Sequence, residues 1–222
     1  MLTKWVTFDC FGTLVDWHTG FTTVLRPIAG DRVAKLLAAY HLHEPFLEAE
    51  RPHRPYKDVL RTAVLRAALD LGLKVTDEQA RVLPNAWDAL PVFPDVEPAL
   101  EGLRSAGYKM AILTNCDDDL FARTQQAFRQ PFDLVITAEQ VKDYKPSLNH
   151  FRRFFRVSGV DRADWVHVAC SWFHDIAPAR EFGLKRIWID RDRTAQQADA
   201  GTIRLENLSE LVERISELDH TS

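Results

Sequence analysis

The sequence predicts an α/β protein: a doubly wound, Rossmann-like parallel sheet with a block of helices inserted after its first strand. Two observations predict it. Short β-rich runs alternate with helix-spaced segments from about residue 93 onward, and residues 17–92 carry several helical patterns and no convincing strand. The chain of 222 residues, 46% hydrophobic, is long enough to bury a sizeable core in one large or two small domains.

Trp5-Val-Thr-Phe8 reads as the first strand, and the polar, glycine-bearing Asp9-Cys-Phe-Gly-Thr13 ends it. In the block that follows, Val33, Leu36, Leu37 and Tyr40 make one helical stripe. Val59, Leu60, Val64, Leu65, Ala68 and Leu69 make another. Pro91, Pro94 and Pro98 exclude a continuous helix across 91–98 and suit a hinge or crossover. Further strands are predicted at Lys109-Met-Ala-Ile-Leu113, Asp133-Leu-Val-Ile-Thr137, Trp165-Val-His-Val168 and Arg186-Ile-Trp-Ile189. Helical spacing separates them: Val96, Leu100 and Leu103; Leu120, Phe121 and Phe128; Phe151, Phe154 and Phe155; Ile176, Ala179 and Phe182. The tail from Leu205 to Leu218 closes with an amphipathic helix that presents Leu208, Leu211, Val212 and Ile215 inward. The expected division is a core of residues 1–16 and 93–222 with a helical cap of 17–92.

Composition narrows the function. A net charge of −4 supplies no basic field for a polyphosphate backbone, so nucleic acid is not an expected partner. No apolar run approaches the ~20 residues of a membrane helix, and the N-terminus lacks the pattern of a signal peptide. The expected location is the cytoplasm. Cys10, Cys116 and Cys170 are an odd number at spacings that match no zinc pattern, and they read as packing. His41, His43 and His53 read as surface residues.

In an open parallel sheet the ligand crevice lies at the carboxyl ends of the strands. Four such places carry chemistry: Asp9 with Thr13, Thr114 with Asn115, Lys145 in a turn, and Ser171 through Asp175. Taken singly these are caps and turns. Taken in order, Phe8-Asp-Cys-Phe-Gly-Thr-Leu14, Leu113-Thr-Asn115, Tyr144-Lys-Pro146 and His167-Val-Ala-Cys-Ser-Trp-Phe-His-Asp-Ile176 resemble the four motifs of the haloacid dehalogenase superfamily.

The resemblance implies that Asp9 is a carboxylate nucleophile. Phosphatases of the superfamily place a second Asp where this chain has Phe11, and a magnesium-binding acid where it has Cys170. Lacking both, the chain is most similar to the type II 2-haloacid dehalogenases, which implies no metal and no cofactor. In that scheme Asp9 displaces halide from a small 2-haloacid, and water then cleaves the aspartyl ester to give a 2-hydroxy acid. Lys145, facing the nucleophile from a loop and not filling the core, aligns Asp9. Thr13 hydrogen-bonds Asp9, and Asp175 orients the water, with Ser171 and His174 rebuilding the shell around it. Thr114, Asn115 and the backbone N–H groups of Cys10 and Phe11 hold the substrate carboxylate, with Phe11 as an apolar wall.

The first cap helix has no Arg at the position that meets the departing halide in typical members. The expectation falls on Tyr40, then His41, then Arg51 and Arg54. That departure leaves open a phosphatase with an altered acid, or a hydrolase that opens another small carboxylic acid such as azetidine-2-carboxylate. A homodimer formed through the cap is a further expectation of the resemblance.

Overall fold

The computed structural model of the protein describes residues 4–220. In chain order the elements are β1 (Trp5–Phe8), α1 (Trp17–Ala29), α2 (Val33–Glu48), α3 (Tyr56–Asp70), α4 (Asp77–Ala80), α5 (Val82–Asn85) and α6 (Val96–Ser105). Then come β2 (Lys109–Thr114), α7 (Asp118–Gln125), β3 (Leu134–Thr137), α8 (Ala138–Val141), α9 (Asn149–Ser158), β4 (Trp165–Ala169), α10 (Ala177–Glu181), β5 (Lys185–Ile189), β6 (Thr202–Leu205) and α11 (Leu211–His220).

The strands form one parallel sheet in the order β3-β2-β1-β4-β5-β6, as expected of a doubly wound α/β fold. β1 lies between β2 and β4, with Phe8 level with Ile112 and Val168. The strand order reverses beside it, so the residue after Phe8 sits at the topological switch point. Alternation along the strands feeds two cores. Val6, Phe8, Met110 and Ile112 belong to the core that includes Leu100 and Leu103 of α6 and Leu211 and Ile215 of α11, while Trp5, Ala111 and Leu113 pack with Phe151, Phe154 and Trp165 on the other face.

α1 to α5 all lie between β1 and β2 in the chain. α1 begins where Asp16 accepts the Thr19 N–H at 3.0 Å, and α4 begins with a Thr76–Gln79 capping box. Leu36, Leu37 and Tyr40 of α2 are buried, as are Val59, Leu60 and Val64 of α3. α3 carries no capping side chain of its own. Its first N–H groups, Tyr56 and Lys57, instead donate to Asp117 after β2 at 2.8 and 2.9 Å, which ties the insertion to the sheet. Tyr144 adds a second tie, donating to the Arg54 carbonyl at 2.6 Å.

Three expectations need correction. Leu69 is 78% exposed, because the inward face of α3 is completed by Ala63, Ala67 and Ala68 and Leu69 falls on the outer side. Phe155 is likewise exposed, beneath the Arg162 guanidinium. β6 was not anticipated: Thr202 and Ile203 are half-buried and Arg204 is exposed at a sheet edge, so the apolar run that marks the inner strands is missing, and the closing helix starts only at Leu211, with Leu205 in β6 and Leu208 in the turn between them.

Candidate active site

Asp9 leaves the end of β1 held by its N–H on the Val168 carbonyl, 3.1 Å. The loop after it is tight. Gly12 has φ of +94°, and a Cβ there would meet Cys170 Sγ at 2.7 Å and the Trp17 indole at 3.0 Å. Leu14 and Val15 N–H groups both return to the Cys10 carbonyl, at 2.8 and 3.0 Å. This places Thr13 under Asp9. Its hydroxyl donates to Asp9 Oδ2 at 2.8 Å while accepting the Cys170 N–H at 2.9 Å, so its single proton is committed to the carboxylate.

Lys145 enters from the turn after α8. Its ammonium donates to Asp9 Oδ1 at 2.8 Å, Asp175 Oδ1 at 2.7 Å and the Leu113 carbonyl at 2.9 Å, which uses all three protons. The triad is buried, with Asp9 7%, Lys145 2% and Asp175 1% exposed. Burial alone would pull the Lys145 ammonium down, but the Asp175 and Asp9 carboxylates outweigh it and hold it well above the ordinary lysine range. Burial pushes Asp9 above the usual carboxylate value, with Lys145 opposing. Asp175 goes the other way: burial raises it, yet Lys145 and His167 bring it down to about 2.

Asp175 is aimed by a wide turn. Trp172–Ile176 is one turn of π-helix capped by Ser171, whose carbonyl accepts from both Asp175 and Ile176. The Ser171 hydroxyl meets His174 at its N–H and at Nδ1, 3.1 and 3.0 Å away. From the sheet side, Trp165 Nε1–H donates to Thr7 Oγ1 at 2.7 Å, and Thr7 Oγ1 lies 2.9 Å from His167 Nδ1. The Asp175 carboxylate only accepts, so the ring donates through Nε2 to Asp175 Oδ1 at 3.1 Å, and a neutral ring then leaves Nδ1 to accept from Thr7, whose hydroxyl also lies 3.5 Å from the Val166 carbonyl. Asp175 Oδ2 has no partner among the described residues.

These groups border a cavity of about 270 Å³. Asp9, Phe11, Thr114, Asn115, Lys145, Cys170, Ser171, His174 and Asp175 line it from the sheet side. Trp17, Phe21, His41, Glu44, Glu48, Tyr56 and Trp87 line it from the inserted helices. Most sequence-predicted residues thus meet at one place. Cys10 and Thr13 lie behind the lining, and Tyr40 is fully buried outside it, its phenol donating to Glu44 at 2.7 Å. Arg51 pairs with Asp143 and Arg54 with Glu50, and neither lines the cavity. The Asn115 side chain braces the lysine turn: Oδ1 accepts the Lys145 N–H at 2.7 Å and Nδ2 donates to the Lys145 carbonyl at 3.1 Å. Lys145 itself, expected as a loop side chain with no part in the core, is among the largest fully buried side chains.

Sequence reasoning missed Glu44, Glu48 and His167. The spacing of Tyr40, Glu44 and Glu48, four residues apart, was a usable signal, since it continues a buried stripe with carboxylates. A magnesium ion does not fit these residues. The position between Asp9 and Asp175 is bridged by the Lys145 ammonium, and the third place carries the Cys170 thiol, which burial holds well above its ordinary value. No group of three or more His, Cys, Asp or Glu side chains is placed to hold a metal among the described residues. Among the same residues no helix is long and apolar enough to cross a membrane.

Comparison with known proteins agrees with this architecture. An (S)-2-haloacid dehalogenase of Pseudomonas sp. (strain YL) is 27% identical over 193 residues, 85% of this chain and 83% of that protein. (S)-2-haloacid dehalogenase 1 of Pseudomonas sp. (strain CBS-3) is 29% identical over 215 residues, 92% of each. In fold the chain is similar to the L-2-haloacid dehalogenase of Xanthobacter autotrophicus, with a TM-score of 0.84 at 21% identity over 97% of this chain and 99% of that one. The family model for haloacid dehalogenase-like hydrolases matches residues 3–206. With its parallel sheet and helical insertion after β1, the chain belongs to the haloacid dehalogenase-like hydrolases.

Proposed function

We propose that the protein is a metal-independent hydrolase of the 2-haloacid dehalogenase type, with residues 17–92 as a cap over a core of 1–16 and 93–222. The observation that carries this reading is the buried Asp9–Lys145–Asp175 triad at the switch point, facing a cavity with an apolar Phe11 wall. The Asp9 carboxylate attacks the carbon that bears the halogen, forming a C–O bond as halide leaves with the C–X electron pair. The substrate carboxylate is held by the Phe11 N–H, which no described residue accepts, with Thr114 and the remaining Asn115 N–H beside it, while Cys10, behind the lining, is set aside from that role.

In the second half-reaction Asp175 Oδ2, unpartnered and beside Ser171 and His174, takes a proton from water as the water adds to the Asp9 ester carbonyl. The Lys145 ammonium stabilises the resulting oxyanion; collapse breaks the ester C–O bond with its electron pair going to the departing alkoxide, which takes the proton held by Asp175 to become the 2-hydroxy acid, and the Asp9 acid releases its proton to solvent to return the carboxylate. His167 fixes the other oxygen of Asp175, so that Oδ2 is the one left to the water. A phosphoryl group would leave an alkoxide to be protonated at Phe11, whose ring instead packs on Trp87 with centroids 4.9 Å apart.

For the halide, His41 replaces Tyr40 as first candidate, since it lines the cavity with Nε2 unpartnered and Nδ1 3.4 Å from Glu44. His41→Ala is expected to slow halide release about hundredfold, the usual loss for one transition-state donor. Halide-selective electrode traces check this, and an unchanged rate would remove His41 from that role.

The reading as a whole is tested by assaying (S)-2-chloropropionate and a panel of phosphomonoesters with EDTA and with added magnesium. Chloride release that survives EDTA and gains nothing from magnesium is expected. Strictly magnesium-dependent phosphate release with no dehalogenation would replace this reading with an altered phosphatase.

A further inference from the structure

On the helix side of the cavity six side chains close a circle of contacts. The Tyr56 hydroxyl donates to Glu44 Oε1 at 2.8 Å, and the Tyr56 ring meets Trp87 with centroids 6.2 Å apart. Trp87 meets Phe21 at 6.1 Å, Phe21 meets Trp17 at 5.8 Å and Trp17 meets His41 at 4.8 Å. His41 Nδ1 then returns to Glu44, 3.4 Å from Oε2. All six line the cavity, and neighbouring rings are tilted by 56° to 81°, so they form a curved wall and not a flat stack.

The one carboxylate in this wall is fixed as an anion. Tyr40 adds a second donor to Glu44 Oε1 at 2.7 Å. Burial alone would raise the Glu44 carboxyl, but the His41, Tyr40 and Tyr56 donors outweigh it and bring it below the usual glutamate value. Among the described residues no lysine or arginine of the inserted helices lines the cavity, and the Lys145 ammonium across it is committed to Asp9, Asp175 and the Leu113 carbonyl. Aromatic rings around such a carboxylate attract a weakly hydrated cation. A neutral apolar tail would gain the rings but strip water from Glu44 with no charge to replace it, and an anion would be repelled.

We infer that this wall is a subsite for a methylated ammonium group, carried at the far end of a 2-halo acid whose reacting carbon meets Asp9. The methyl groups pack on Trp17, Phe21, Tyr56 and Trp87, the charge pairs with Glu44, and no hydrogen-bond acceptor is needed. It also brings positive charge to a cavity in which Asp9, Glu44 and Asp175 outnumber Lys145. The cation is a passive anchor: no bond to its nitrogen forms or breaks, and the halide remains the leaving group. Its place on the substrate rests on the reading of Asp9 as a nucleophile, whereas the preference of the wall for a cation does not.

The test therefore starts without chemistry. Titration calorimetry on the purified full chain compares 4-(trimethylammonio)butanoate with 5,5-dimethylhexanoate, two halogen-free acids of one shape that differ by a charged nitrogen in place of a carbon. Wild type is expected to bind the cation about tenfold more tightly or better, the scale of a desolvated cation on aromatic rings. Glu44→Gln is expected to cut that preference by about threefold or more, with the affinity for the neutral acid unchanged. Equal or tighter binding of the neutral acid by wild type, or binding of neither at millimolar concentration, would overturn the subsite. An undiminished preference in Glu44→Gln would overturn the part given to Glu44. Chloride release is then followed from the 2-chloro forms of both acids, and KM is expected to be about tenfold lower for the cation; equal KM values would overturn its place on the substrate. Release from (S)-2-chloropropionate by the same sample tests the Asp9 reading separately, so that either reading can fail while the other stands.

Discussion

Asp9→Asn is expected to lose turnover of every substrate, by about ten-thousandfold or more, the scale seen when a nucleophile is removed. An amide does not form the ester, and the neighbouring carboxylate, Asp175, is held by Lys145 and His167. The fold should survive. Asparagine keeps the shape of aspartate, its oxygen still accepts from Thr13 or Lys145, and Lys145 keeps its charge partner in Asp175. Thermal unfolding within a few degrees of wild type, with no product in long incubations, is the expected pair of results. Substantial turnover by a sample free of deamidated protein would refute the nucleophile.

Lys145→Ala is the second large effect, and here activity and stability fall together. Removing the ammonium withdraws the donor to Asp9 and the stabiliser of the oxyanion, which should cost about thousandfold in rate. It also leaves Asp9 and Asp175 as neighbouring buried carboxyls without a cation, a change of about 3–5 kcal/mol. At this chain length that corresponds to a fall of roughly 10 °C in Tm. Lys145→Arg should restore little, since a planar guanidinium does not repeat three bonds made from one point.

The pH dependence follows from the same groups. The raised Lys145 value means that its contribution is fully present below 10.5 and is lost as pH climbs through its higher folded value. The lowered Asp175 value means that its contribution is present above 3.8 and is lost as pH falls toward about 2. The acid limb of kcat/KM should be set by Asp9 and lie above 3.8, and no limb from Lys145 should appear below pH 10.5. A wild-type profile with its acid limb below 3.8, or Lys145→Ala with normal rate, would contradict these assignments.

The central fold was legible because β1, β2 and β4 are buried on both faces and announce themselves as apolar runs, each ending in a polar residue at the crevice. Asp9 could be found after β1 and Asp175 after β4, and Lys145 in the turn that follows β3 and α8. β6 was not legible, because an edge strand needs no continuous apolar face. The inserted helices were legible as helices but not as one wall of a site. Which way Tyr40 points depends on how α2 packs on α3, and that packing turns its phenol onto Glu44 and away from the cavity. His167 looked like a strand residue, and only the neighbouring strand supplies the Thr7 that faces its Nδ1. Lys145 looked like a loop residue, and its burial comes from three elements distant in sequence closing over it.

The most direct test of the covalent account is a single turnover of (S)-2-chloropropionate in oxygen-18 water, with enzyme in excess and both protein and product analysed by mass. Attack through Asp9 predicts an unlabelled 2-hydroxy acid in the first turnover, with the label on the Asp9 carboxylate. A product carrying the heavy oxygen in that first turnover, with Asp9 unlabelled, would mean that water attacks the substrate directly and that no aspartyl ester forms.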